Sequence, residues 1–180
     1  MLDQLISTNM PSIQSEALTK IMIPLTHLGD KYLIAFFSAI ILGILLYKKE
    51  YVKSKIFTLT MGGTVVLTQA LKLINQRPRP ENMLIAKDGF SFPSGHSALA
   101  IAFFGMMIFL FKDKIKNKTL RYTFITTNTL LIILIAFSRL YLNVHWLSDI
   151  IAGLTVGLIC MLISIWASKK IPYIRKNKLL

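Results

Sequence analysis

The sequence is poor in cysteine and in acidic residues, and this scarcity excludes several kinds of site. Its one cysteine, Cys160, excludes an internal disulfide framework and a cysteine-based zinc site. A cysteine phosphatase would carry arginine six positions after its cysteine, where this chain has Trp166. No G-x-x-x-x-G-K-[ST] loop is present, so a Walker-type nucleotide site is excluded. Its 8 acidic residues show no spacing typical of the ligands of a two-metal phosphatase.

Apolar residues are abundant: 54% of the 180 residues are hydrophobic, and the mean hydropathy is +0.59. Five apolar runs stand out, at residues 32–47, 56–74, 97–111, 122–138 and 146–167. Most approach the roughly 20 residues that a helix needs to cross a bilayer. Because lipid offers no hydrogen-bond partners to the backbone, each run is expected to be helical. The sequence therefore predicts an all-α, polytopic membrane bundle with about five transmembrane helices.

The net charge of +13 indicates topology rather than nucleic-acid binding, because the basic residues are grouped along the chain. They concentrate in residues 48–55, 112–121 and 169–178. With five spans, these segments fall on one side of the membrane, and the positive-inside rule makes that side cytoplasmic. The N-terminus and residues 75–94 and 139–145 then face the extracytoplasmic side of the cell membrane. We expect membrane lipids as partners and no nucleic acid.

Residues 11–28 are only moderately apolar, with apolar side chains at roughly helical spacing. This pattern predicts an amphipathic helix that lies on the outer interface or is partly inserted. Without linkers, repeats or low-complexity tracts, residues 1–180 are expected to form a single domain, with residues 169–180 as a cytoplasmic basic tail.

Polar residues collect in the two loops predicted to be extracytoplasmic. His145 and Asp149 are four residues apart, so they share one helix face, and Asp149 lies inside an apolar run. A carboxylate beside an imidazole fixes its tautomer and raises its basicity, as a nucleophilic histidine requires. Taken alone, the pair is also what a structural helix start would show.

The stretch "PSGH", at residues 93–96, opens the third apolar run. Ser94 suits a helix N-cap and Gly95 a tight turn, so free N–H groups at this helix start form an anion site. His96 then places a proton donor beside the anion. Lys72, Arg79 and Arg139 add cations from other segments, and such cations suit phosphate. The set predicts phosphoryl transfer through histidine, with no metal and no cofactor.

These residues form a recognisable pattern. "KLINQRPRP" (72–80) resembles K-x6-R-P, "PSGH" matches P-S-G-H, and "SRLYLNVHWLSD" (138–149) matches S-R-x5-H-x3-D. Together they resemble the three-part signature of the type 2 phosphatidic acid phosphatase superfamily. The resemblance covers roughly residues 26–168.

The resemblance implies a role for each matching residue. His145 would attack phosphorus and form a phosphohistidine, Asp149 would orient it, and His96 would protonate the leaving oxygen. The phosphoryl oxygens would be bound by Lys72, Arg79, Ser94, Gly95 and Arg139.

One departure from the family pattern concerns the N-terminus. Membrane members usually have six spans, whereas only the segment 11–28 precedes "THLGD" here, and the nearby His27 is read as structural.

The predicted function is hydrolysis of a lipid phosphate or pyrophosphate. Undecaprenyl pyrophosphate is favoured because of the outer-facing loops, with phosphatidylglycerol phosphate and phosphatidic acid as further candidates. Two alternatives stay open: a lipid phosphotransferase that uses the same intermediate, and a non-enzymatic lipid-binding transporter or scaffold.

Overall fold

The computed structural model describes residues 2–170, and most of that part of the chain is helical. The α-helices are α1 (Leu2–Asn9), α2 (Glu16–His27), α3 (Lys31–Tyr47), α4 (Tyr51–Asn75), α5 (Gly95–Phe111), α6 (Lys118–Tyr141) and α7 (Leu147–Lys170). Short 3-10 turns lie at Met10–Ile13 and Lys112–Lys114. The all-α prediction is confirmed. Most of the predicted basic tail, residues 171–180, lies outside the described residues.

Short polar side chains define where the helices begin. The N-caps of α2, α3, α5 and α6 are Ser15, Asp30, Ser94 and Asn117, and each side chain accepts a hydrogen bond from a first-turn N–H. Such caps satisfy backbone donors that have no partner inside the helix. At its C-terminal end, α4 stops where Gln76 adopts a left-handed conformation with a φ of 46°. Pro78 and Pro80 follow and prevent the helix from continuing.

Four segments are each long and apolar enough to span a membrane, namely α4, α5 with its following turn, α6 and α7. Helix α3 has 17 residues and meets the same criterion only together with α2, from which it is bent by 45°. The prediction of a polytopic membrane bundle is therefore confirmed, and α3 is the span that meets the criterion only as part of a bent pair.

Helix α2 stays at one end of the bundle. The Ser15 N–H before its first turn donates to the Tyr141 hydroxyl at 3.0 Å, and near its last turn Thr26 accepts from Arg139 at 2.7 Å. Both partners belong to the last turns of α6, so α2 does not run to the opposite end. Its position in the membrane interface stays a prediction.

The predicted helix over residues 11–28 differs from the observed one in its first part. Pro11 lies in a separate 3-10 turn, and α2 begins only after the Ser15 cap. Helix α1 precedes both and was not predicted, because its sequence LDQLISTN has too few apolar residues to show a clear pattern.

Helix α5 forms the centre of the bundle and packs against α3, α4, α6 and α7. Its approach to α7 is close because of two glycines. A Cβ at Gly153 would lie 2.4 Å from the Ser94 carbonyl oxygen, and one at Gly157 would lie 2.3 Å from that of Ala98. Only glycine permits this backbone contact. The contact holds the start of α5 against the start of α7, which carry His96 and Asp149.

Two of the basic segments meet at the opposite end of the bundle. Glu50, between α3 and α4, forms ion pairs with Lys53 at 2.5 Å and with Lys114, between α5 and α6. Residues 48–55 and 112–121 therefore lie at one end, away from the histidines. Lys53 and Lys55 belong to the first turns of α4 rather than to the loop in which the sequence placed them.

Candidate active site

The predicted site residues come together at the end of the bundle where α4 and α6 finish and α5 and α7 begin. Lys72 and Arg139 lie in the last turns of α4 and α6, and Arg79 lies in the loop that follows α4. His96 lies in the first turn of α5, and His145 precedes α7. The loop between α4 and α5 folds back so that the Ser91 N–H donates to the Arg77 carbonyl oxygen at 2.8 Å.

His145 is held between a carboxylate and a guanidinium. Its Nδ1 lies 3.4 Å from Asp149 Oδ2, and its Nε2 lies 3.3 Å from Arg79 Nη1. Because a guanidinium only donates, Nε2 carries the lone pair and Nδ1 carries the proton. Burial lowers the pKa of His145 to about 4, against the opposing effect of the hydrogen bond that His145 donates to Asp149. The imidazole is therefore neutral near pH 7, and Nε2 carries the lone pair that would attack phosphorus.

Two cations of the site, one from α4 and one from the loop itself, hold the loop between α4 and α5. Lys72 Nζ donates to the Phe90 carbonyl oxygen at 2.6 Å. Arg79 donates to the Val144 carbonyl oxygen at 2.7 Å and to that of Gly89 at 3.0 Å. Burial lowers the pKa of Arg79, and the carboxylates of Asp149 and Asp88 act in the opposite direction.

The cations and histidines of the site line a cavity of about 280 Å³. Its lining includes Lys72, Arg79, His96, Arg139 and His145, and further lining residues are Asp30, Lys31, Val65, Thr68, Gln69, Lys87, Gly95 and Leu99. The three cations of the family motifs and the two imidazoles thus face one space, together with two further lysines and one carboxylate. This arrangement suits a tetrahedral dianion, since the cations would bind its oxygens while the imidazoles exchange a phosphoryl group and a proton.

Two of the predicted phosphate ligands are placed differently from each other. Gly95 lines the cavity, whereas Ser94 is fully buried and its hydroxyl accepts from the hydroxyl of Ser97 at 3.0 Å. The Ser94 N–H donates to the Asp149 carbonyl oxygen at 2.9 Å. Ser94 therefore joins α5 to α7 in this structure, and its contact with phosphate stays a prediction.

His96 faces the cavity beside the turn between α2 and α3. A Cβ at Gly29 would lie 3.4 Å from the His96 ring and 2.6 Å from Ile135, so the turn approaches closely only because residue 29 is glycine. This is the "THLGD" stretch. The His96 ring makes no hydrogen bond within residues 2–170, which leaves its nitrogens available to a bound molecule.

Sequence reasoning missed several polar residues that the fold brings to this end. Thr26 supports Arg139, and Arg77 donates to Asp149. The hydroxyl of Thr68 is buried, lines the cavity and has no hydrogen-bond partner among the described residues. Thr68 lies one helical turn before Lys72, so its spacing was a usable signal. The contact of Thr26 depends on the chain path and gave no such signal.

A comparison with known protein families decides the assignment. The model of the PAP2 superfamily matches residues 53–173, which include each of the predicted site residues. The chain belongs to the PAP2 superfamily. The chain is therefore a membrane-embedded lipid phosphatase of the PAP2 type, and the predicted enzyme class is confirmed. A histidine nucleophile is general to this family.

Individual relatives agree with this placement. Phosphatidylglycerophosphatase B of Bacillus subtilis (strain 168) is 28% identical over 179 residues, which cover 97% of this chain and 87% of the relative. The crystal structure of a transmembrane PAP2-type phosphatidylglycerolphosphate phosphatase from Bacillus subtilis superposes with a TM-score of 0.84 at 27% identity, over 96% of this chain and 87% of that one. LpxE of Aquifex aeolicus superposes with a TM-score of 0.71 at 25% identity, over 92% of this chain and 93% of that one.

Proposed function

We propose that this PAP2 protein removes the terminal phosphate from a lipid that carries a second phosphate group close by. The observation that supports the proposal most directly is the shared cavity of His145, His96 and the three cations. Lys31 and Lys87 also line this cavity, beyond the cations that match the family motifs. They would bind the second phosphate, which undecaprenyl pyrophosphate and phosphatidylglycerophosphate carry and phosphatidic acid lacks.

The reaction starts with attack of the His145 Nε2 lone pair on phosphorus. The bond from phosphorus to the leaving oxygen breaks, and His96, acting as the imidazolium, gives that oxygen a proton. Asp149 accepts the hydrogen bond from Nδ1 and stabilises the positive charge that develops on the ring. A water molecule then gives a proton to His96 and attacks the phosphohistidine, which releases phosphate, returns His145 to the neutral imidazole and returns His96 to the imidazolium. Lys72, Arg79 and Arg139 neutralise the phosphoryl oxygens in both steps.

A substrate panel tests the second-phosphate proposal. We expect Lys87→Ala and Lys31→Ala to lower kcat/KM about 10-fold for undecaprenyl pyrophosphate and phosphatidylglycerophosphate, which corresponds to about 1.4 kcal/mol. Activity on phosphatidic acid should change less than about 2-fold, because it offers no second phosphate. Lys20→Ala is the matched control, since Lys20 is exposed and pairs with Glu16 outside the cavity. Equal losses on the three lipids would contradict the proposal.

Chelation and vanadate test the metal-free mechanism. Activity should persist in excess EDTA, because side chains supply the positive charge. Vanadate should inhibit, since its five-coordinate adduct on His145 resembles the transition state. Loss of activity in EDTA with recovery on addition of Mg²⁺ or Zn²⁺ would contradict the mechanism.

We also propose that the site faces the extracytoplasmic side and that the C-terminus is cytoplasmic. The positive-inside rule supports this orientation, because Lys48, Lys49 and Lys114 lie at the end opposite the site. In a Cys160→Ser background, a cysteine at Asp88 should react with an impermeant thiol reagent on intact cells, and one at Lys116 should not. The reverse labelling pattern would place the site in the cytoplasm and exclude recycling of an outer-leaflet lipid.

A further inference from the structure

The carboxylate of Asp149 has a separate set of partners for each oxygen. Oδ2 lies 3.4 Å from His145 Nδ1 and accepts from the Trp146 N–H at 3.0 Å, while Oδ1 accepts from Arg77 Nη1 at 2.8 Å. The Asp149 side chain is fully buried. The orientation of the carboxylate towards His145 is therefore determined jointly by Arg77 and by the start of α7.

Arg77 is itself held by the N-terminal helix α1. Its Nη2 donates to Asp3 Oδ2 at 2.7 Å, and its guanidinium lies 5.3 Å from the ring centroid of Trp146. The side chains of Arg77 and Asp3 are 31% and 20% exposed, so both are largely removed from water. A guanidinium that bridges two carboxylates has little freedom to turn.

Asp3 completes the arrangement at the first turn of α7. Its Oδ1 accepts from the Ser148 N–H at 3.0 Å, and its Oδ2 accepts from the Ser148 hydroxyl at 2.5 Å. A residue of α1 thus provides the carboxylate cap of the helix that carries Asp149. Burial raises the pKa of Asp3, but the hydrogen bonds from Ser148 and Arg77 outweigh this effect and lower it.

We infer that Asp3 and Arg77 are positioning residues, which orient the Asp149 carboxylate for the attack by His145 and make α1 part of the support of the active site. Neither side chain lines the cavity, so each acts through Asp149 rather than on the substrate. The inference rests on the proposed roles of His145 and Asp149.

The charges of the two residues give this arrangement a signature that packing alone would not produce. Without Arg77, no cation neutralises the far oxygen of the Asp149 carboxylate. Its negative charge then acts more strongly on His145, so protonation of the imidazole becomes easier. Without the negative charge of Asp3, the positive charge of Arg77 acts more strongly on Asp149 and His145, so protonation of the imidazole becomes harder. The other charged or titratable groups that line the cavity with His145 stay the same in both variants. They are Asp30 and Lys31 at the start of α3, Lys72 of α4, Arg79 and Lys87 of the loop between α4 and α5, His96 of α5 and Arg139 of α6.

The experiment compares Asp3→Asn, Arg77→Met and Arg77→Lys in the full-length protein, with lipid phosphate in detergent as substrate. We expect kcat to fall about 10²-fold in Arg77→Met, because a small misplacement of a catalytic group costs that much. Arg77→Lys and Asp3→Asn should lose about 10-fold, with KM changed less than about 3-fold. The acid limb of kcat/KM should move to higher pH in Arg77→Met and to lower pH in Asp3→Asn.

Ser7→Ala is the matched control. Ser7 also anchors α1, through a 2.8 Å bond to Asn143, but it does not contact Asp149 or Arg77. Its kcat and pH profile should match the wild type. The elution volume in size-exclusion chromatography and the melting temperature show whether each variant folds. If Arg77→Met does not fold, the milder variants Asp3→Asn and Arg77→Lys keep the test decisive.

Three results would overturn the inference. They are wild-type kcat in the folded Asp3 and Arg77 variants, shifts of the acid limb in one common direction, and a loss in Ser7→Ala as large as that in Asp3→Asn. A wild-type protein that turns over without a phosphohistidine would instead contradict the proposed function, so the two failures are distinguishable.

Discussion

The two ends of the bundle use charge in opposite ways. At the site end, Arg139 and Asp149 are 1% and 0% exposed, and each is bound by a polar partner from another element. At the opposite end, Lys48, Lys49 and Lys114 are exposed. A buried charge costs several kcal/mol of desolvation unless its partners are in place, whereas an exposed ion pair contributes little. In the proposed mechanism and topology, charge at the site end serves chemistry, and charge at the other end serves orientation in the membrane.

The largest effect should come from the two histidines of the site end. We expect His145→Ala to lower kcat by at least about 10⁴-fold on every substrate, because no covalent intermediate forms. His96→Ala should lower kcat about 10²–10⁴-fold on phosphatidylglycerophosphate and phosphatidic acid, whose alkoxide leaving groups need a proton. Steady-state phosphate release measures both losses.

A second substrate separates the two roles. On p-nitrophenyl phosphate, His96→Ala should lose much less activity, because nitrophenolate departs with little help from an acid. His145→Ala should remain inactive. If His145→Ala kept substantial activity while His96→Ala lost it, the two assignments would have to be exchanged.

The pH dependence of Asp149→Asn gives an effect of intermediate size. In the wild type, kcat/KM should fall on the acid side with a midpoint near pH 4, because protonation of His145 removes the nucleophile. Burial lowers the pKa of His145 to about 4. Activity is then present above this pH and is lost as the pH falls through it. The hydrogen bond that His145 donates to Asp149 raises this pKa. Asp149→Asn should therefore lower kcat and move the midpoint to lower pH, and a shift to higher pH would contradict the assignment.

Close helix packing at the site end predicts a smaller effect, on stability. Gly153→Ala would place a methyl group 2.4 Å from the Ser94 carbonyl oxygen, so α5 and α7 must separate. We expect a loss of about 1–3 kcal/mol, visible as a lower melting temperature in detergent. Gly62→Ala is the matched control, because nothing lies within 4 Å of its added Cβ. Alanine there should be neutral or stabilise the helix by up to about 1 kcal/mol.

The smallest effect should come from the opposite end. Glu50 bridges Lys53 and Lys114, which lower the pKa of its carboxyl, but the pairs are accessible to water. Glu50→Gln should change stability by less than about 1 kcal/mol and leave kcat unchanged. A loss of activity comparable to that of the Asp149 variant would remove the distinction between the two ends.

Much of the fold was predictable because hydrophobic length and polar caps act locally. The five apolar runs became α3 to α7, and the stretch before Gly95 became a helix cap as expected. Helix α1 was not predictable, since its eight residues are stabilised by tertiary contacts of Asp3 and Ser7 rather than by an apolar pattern.

The site divides in the same way. Residues whose spacing carries chemistry, such as His145 and Asp149, were found from the sequence and lie together in the structure. Arg77 and Thr26 were missed, because their partners are distant in sequence and depend on the path of the chain. Ser94 shows the opposite limit: its motif indicated phosphate, whereas its hydroxyl is engaged within the helix cap.

A search for phosphohistidine tests the role of His145 most directly. Wild-type protein mixed with lipid carrying a ³²P-labelled terminal phosphate and quenched within milliseconds should hold acid-labile, base-stable label. Peptide mapping should place the label on the peptide that contains His145, and His145→Ala should hold none. Turnover without any labelled protein, or label on the peptide that contains His96, would contradict the central claim that His145 is the nucleophile.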